Sequence, residues 1–135
     1  MTEPTIVLSQ LSIRGCRAEL YVNGAPISRL WNDGIETENM AAEQWLVPGA
    51  NTIEVLVEPG STPSVARTEP KDLDFKEMTA IARLIRFRDG VKAAVENGEL
   101  LAEARFEWRN GQPNKLRFPH AVSTSVELGA AHGAW

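Results

Sequence analysis

Apolar residues recur at every second position along most of this chain, and each alternating run stops at a pair of turn-forming residues. Ala18, Leu20 and Val22 alternate with polar or amphipathic neighbours until Asn23-Gly24. Ile53, Val55 and Val57 follow the turn at Pro48-Gly49 and run on to Pro59-Gly60. Ile81, Ile85 and Phe87 share one face of a run ending at Asp89-Gly90, and Leu100, Ala102, Ala104, Phe106 and Trp108 share one face of a run ending at Asn110-Gly111. Leu116, Phe118, His120, Val122, Thr124, Val126 and Leu128 form the last such set. A period of two puts successive side chains on opposite faces of a strand, so each run reads as a strand with one buried side. About seven strands divided by Gly-containing turns predict an all-β fold, an antiparallel β-sandwich of jelly-roll type with at most one short helix.

The boundaries follow from turn chemistry. Residues 5–13 form a first, less regular run. Asn23-Gly24 tolerates the positive φ of a type I′ hairpin turn, so residues 25–30 are expected to return beside residues 18–22. Residues 59–72, "PGSTPSVARTEPKD", hold three prolines and read as a long surface loop. The helical candidate is "DGVKAAVEN", residues 89–97, where Val91 and Val95 are four apart. With 135 residues the chain is expected to form a single domain, residues 1–135.

Charge and cysteine content narrow the function. A net charge of -4 argues against nucleic acid, which needs a concentrated basic face. Cys16 is the single cysteine, so an internal disulfide and a cysteine metal cluster are both excluded; it is expected to pack as a small, semi-buried hydrophobe beside Arg14 and Arg17. No apolar run approaches the length of a membrane span and no basic leader precedes an apolar core, so no membrane association is expected and the chain reads as cytoplasmic.

The order "LYVNG", an intervening loop, then "LVPGANTIEVLV" resembles the galactose-binding-like jelly-roll domains that accompany glycoside hydrolases. The resemblance covers about residues 17–58. It implies a jelly-roll scaffold and an accessory, sugar-binding role, both carried by hairpin motifs that mark scaffold rather than site.

Catalytic chemistry is thinly represented. His120 falls on the apolar face of a strand, where a structural role is expected, and His132 sits in the terminal "GAAHGAW". Neither accompanies a nucleophile elbow or a metal-ligand spacing, so no cofactor and no metal are expected. The carboxylates of Asp33, Glu36 and Glu38, and of Asp72 and Asp74, lack the ligand count of a calcium loop. A glycosidase would need two carboxylates held across a cleft, which leaves a small glycan hydrolase as an alternative.

The segment 31–45 offers the better candidate. Trp31 and Trp45 bracket Asn32, Asp33, Glu36, Glu38 and Asn39, combining a flat apolar surface for a sugar ring with short polar groups for its hydroxyls. Trp31, Asn32, Asp33, Glu36 and Trp45 are therefore the candidate ligand-binding residues. Against this stands the scaffold reading, in which the segment is a crossover loop pinned to the core by both tryptophans; large aromatics usually bury, and this is the expected outcome. Arg83 shares the face of Ile81, Ile85 and Phe87 and is expected to reach water at a sheet edge. Arg86 and Arg88 are candidates for an anion patch with Arg105 or Lys115.

Together these features predict a non-catalytic β-sandwich binding or interaction module, with a carbohydrate or a protein as partner. A structural, oligomerising domain that pairs with a second copy of the chain is the alternative.

Overall fold

The computed structural model describes residues 5–59, 77–88, 98–109 and 119–128, without the side chains of Thr5, Asn32, Asp33, Pro59 and Arg88. The expected loop 59–72 and helix 89–97 lie essentially outside the described residues, as do His132, Asp72, Asp74, Lys115, Leu116 and Phe118. The fold is an all-β antiparallel sandwich, nearly closed like a barrel. Its strands are β1 (Thr5–Val22), β2 (Ala25–Ala41), β3 (Gly49–Pro59), β4 (Glu77–Arg88), β5 (Glu99–Arg109) and β6 (His120–Leu128), with one 3-10 turn, η1 (Glu43–Trp45), between β2 and β3. No helix among the described residues is long and apolar enough to cross a membrane.

β1 organises the sandwich. One of its edges pairs with β2 along nearly its whole length, while the other is divided between β4, from Thr5 to Arg14, and β3, from Cys16 to Val22. The division falls at Gly15, whose φ of 67° is cheap only for glycine and which interrupts the register with β2. The bulge also switches the inward face. Val7, Ser9, Leu11 and Ile13 point to the core before it, and Cys16, Ala18, Leu20 and Val22 after it. What the sequence presents as two runs of opposite parity is therefore one bent strand.

The ends of the bent hairpin meet. Ala42 N donates to Val7 O at 3.0 Å, and three residues later Trp45 O accepts from Asn23 Nδ2 at 2.8 Å. Val7 and Asn23 would stand about 50 Å apart on a straight strand, yet η1 bridges them with a few residues. β1 and β2 thus fold over at Gly15. One layer holds β5, β4 and the first half of β1, and the other holds β6, β3 and the second half of β1. β5 lies against β6, where Thr124 Oγ1 donates to Glu103 O at 2.9 Å, which nearly closes the barrel on that side.

The core follows the alternation. Ile53, Val55 and Val57 are fully buried, as are Ala102, Ala104, Phe106 and Trp108 to within a few per cent. Leu100 departs from its set: a register shift between Leu84 and Ile85 turns it outward at 50% exposure, and Leu101 packs against the core instead. On β4 both faces are buried. Met78, Ala80, Ala82 and Leu84 face the central core, while Ile81, Ile85 and Phe87 are buried on the other face.

Candidate functional site

The two motifs that first mark the chain as β meet in one hydrogen-bond cluster. Asn23 has φ 50° and Gly24 φ 83°, the pair of positive values that the hairpin turn requires. Asn23 Oδ1 accepts from Thr52 N, and its Nδ2 donates to Trp45 O and to Asn51 Oδ1, each at 2.8 Å. The fully buried Asn51 also accepts from Val47 N at 2.9 Å and donates to Val47 O and Gly49 O. The turn asparagine and the one following Pro48-Gly49 thus join the β1–β2 turn, the segment after η1 and the start of β3. They are scaffold, and no spacing rule connects them from the sequence.

The segment between the motifs is not a loop. Residues 31–41 continue β2, paired with β1 as far as Leu8 and Ala41. Neither tryptophan is a core pin. Trp31 is 44% exposed and Trp45 39% exposed. The pinning residues flank η1 instead: Ala42 is fully buried and Leu46 is 5% exposed, which leaves Trp45 outward between them.

The candidate ligand residues separate accordingly. Trp31 pairs with Arg17, close to the bend at Gly15, and Trp45 sits beside the Asn23 turn, about 20 Å further along the strand. Asn32 lies opposite Cys16 in β2, but its side chain and that of Asp33 are outside the described residues. Trp31 and Glu36 do come together. They line a concavity of about 350 Å³ with Arg29, Leu30 and Glu38, within the range of small-ligand sites.

Its origin is the fold of β2. Ser28 and Leu30 on one half pair with the buried Leu20 and Ala18, and Glu38 on the other half pairs with the buried Leu11; Leu30 and Glu38 line the concavity together, and Ser28 and Glu38 line its neighbour. A second concavity of about 260 Å³ shares Arg29 and Glu38 and adds Glu19, Ile27 and Ser28. Arg29 Nε lies 3.6 Å from Glu19 Oε1. The sequence singles out Trp31 and Glu36 here; Arg29, Leu30 and Ser28 go unnoticed, because they sit in a strand assigned wholly to scaffold.

The other candidates are structural. Cys16 is fully buried, its Sγ donates to Thr79 O at 3.4 Å, and burial raises its pKa to about 12. His120 packs its ring 5.2 Å from Phe106. Arg83 does not sit at a sheet edge: β4 is flanked by β1 and β5, and the partly buried guanidinium donates to Gln10 Oε1 at 3.1 Å and lies 3.7 Å from Glu103 Oε2. The anion patch does not form among the described side chains. Arg86 pairs with Glu99 at 2.6 Å, whereas Arg105, on the opposite face, is held between Glu107 and Glu103 at 2.7 Å each. The Arg105 hydrogen bond holds the Glu103 carboxyl below its usual range. Arg88's side chain and Lys115 are outside the described residues. Among the described residues no cluster of three or more His, Cys, Asp or Glu is arranged to hold a metal ion.

With this geometry in view, the chain matches no protein-family model, no curated protein and no solved structure.

Proposed function

We propose that this chain is a non-catalytic binding module that takes a carbohydrate at the folded edge of β2. The observation that carries the reading is Trp31: a large aromatic, 44% exposed, on a concavity whose remaining walls are the aliphatic Leu30 and the polar Arg29, Glu36 and Glu38. A pyranose offers an apolar C–H face to an indole and hydroxyls to carboxylates and a guanidinium, and this wall offers both. The resemblance of residues 17–58 to galactose-binding-like domains supports the same class of ligand. Cys16, buried and protonated, and His120, packed on Phe106, are not placed to act as nucleophile or base at this cleft. Titrating intrinsic fluorescence with a broad panel of oligosaccharides tests it. A saturable change is expected with at least one member, lost in Trp31→Ala and kept in Trp45→Ala. A flat response across the panel removes the sugar-binding reading.

A second reading, association with another copy of the chain, is favoured by one observation. β2 has β1 as its strand partner among the described residues, and it presents Ile35 and Met40, 63% and 42% exposed, along its second half. Light scattering that rises from monomer to dimer mass with concentration would support it, and a constant monomer mass would exclude it.

A further inference from the structure

The concavities at the folded edge of β2 contain a polar pair that the fold itself does not use. Ser28 is 7% exposed, and its Oγ is buried without a hydrogen-bond partner. Such groups are few in folded proteins and each calls for a reason. Glu38 lines both concavities. It stands opposite the fully buried Leu11, on the inward side of β2, where a sandwich would ordinarily place an apolar residue. Among the described residues no hydrogen bond or ion pair reaches its carboxylate, Glu36 is already engaged, and Arg29 is drawn towards Glu19.

We infer that the cleft takes the protonated amine of an amino sugar, with the ammonium donating to the Glu38 carboxylate and to Ser28 Oγ while the pyranose lies against Trp31. This rests on the carbohydrate reading of the cleft. An ionised carboxylate is an acceptor only and a serine oxygen accepts as well, so the pair asks for a donor with several hydrogens. An ammonium supplies three and neutralises the half-buried charge, which a neutral hydroxyl does not. Trp31 adds an indole face that favours a nearby cation. With Glu19 beside Arg29 and Glu36 engaged, the Glu38 carboxylate is the group that draws a cation to this wall.

The test is calorimetric titration at low salt with four probes: a glucosamine tetramer, its fully N-acetylated counterpart, n-butylammonium, and a lysine-containing pentapeptide. The glucosamine tetramer is expected to bind about tenfold or more tighter than the N-acetylated one, the scale of one charge-assisted hydrogen bond. That preference should vanish in Glu38→Gln, shrink in Ser28→Ala and survive in Trp45→Ala, with near-ultraviolet circular dichroism reporting that each variant is folded. Equal binding of the two tetramers overturns the amine assignment and leaves the sugar site standing. Butylammonium or the peptide binding as tightly as the amino sugar overturns it too, because the pyranose would then contribute nothing. Binding of no probe at all removes both the amine assignment and the reading on which it rests.

Discussion

Asn51 makes four hydrogen bonds from a fully buried side chain, to Asn23, to both backbone groups of Val47 and to Gly49 O. Truncation strands several buried donors and acceptors at once, so Asn51→Ala is expected to lower stability by about 3 kcal/mol in denaturant melts. Asn51→Asp, which sets a carboxylate against the Val47 and Gly49 carbonyl oxygens in a fully buried site, is expected to cost at least as much as Asn51→Ala. Equal midpoints for wild type and Asn51→Ala would show that water satisfies the cluster. Cys16 supplies a second residue-level expectation. Its thiol has a pKa of about 12 in the folded chain against 9.0 when exposed, so between these values the unfolded chain has lost a proton that the folded chain retains. The contribution is fully present below about pH 9 and is lost as pH rises towards about pH 12. Melts of wild type should therefore weaken more steeply than those of Cys16→Ala over that interval, and a thiol reagent at pH 8 should label wild type only as fast as it unfolds. Rapid labelling of the native protein would contradict the burial.

At the scale of elements, η1 inverts the usual weighting of residue size. Trp45→Ala is expected to cost less than about 0.5 kcal/mol, as exposed substitutions do, while Leu46→Ala should cost about 2 to 3 kcal/mol for the cavity it opens. Comparison of the two melting midpoints decides which residue anchors the segment. Gly15→Ala is expected to cost about 1 to 2 kcal/mol, because an L side chain at that positive φ is strained. These elements also show where sequence reading succeeds and where it stops. Residues 18–22, 53–57 and 102–108 alternate because one face of each meets the core, and Asn23-Gly24 marks its turn by backbone chemistry alone. Residues 31–41 fail to alternate because the second half of β2 lines an open cleft. Its inward positions include Glu36 and Glu38, and its outward ones include Thr37 and Asn39, which bond across to Ser12 and Gln10. With no apolar face to bury, that stretch of strand has no period, and it then reads as part of a crossover loop. The bend at Gly15 is hidden for a related reason, since one bulged residue reverses the parity and divides a single strand into two apparent ones.

Across the whole molecule, both layers share β1 and β2, so the fold that closes the core also sets the two halves of β2 against each other. The candidate site is a consequence of that architecture. Trp31 and Glu36 were legible as binding chemistry from composition, whereas their company with Arg29, Leu30 and Glu38 depends on a strand folding back on itself, which no local pattern encodes. Disturbing the bend should therefore affect ligand and fold together, and Gly15→Ala is expected to weaken binding of the glucosamine tetramer as well as stability; unchanged affinity in that variant would separate the cleft from the bend. The central claim, that Trp31 is displayed at a binding cleft, is tested most directly by acrylamide quenching of a variant that keeps Trp31 as its single tryptophan, with and without saturating glucosamine tetramer. Trp31 should be readily quenched in the free protein and protected when the sugar is bound. A Trp31 that resists quenching in the free protein, or that is quenched equally in both states, would contradict it.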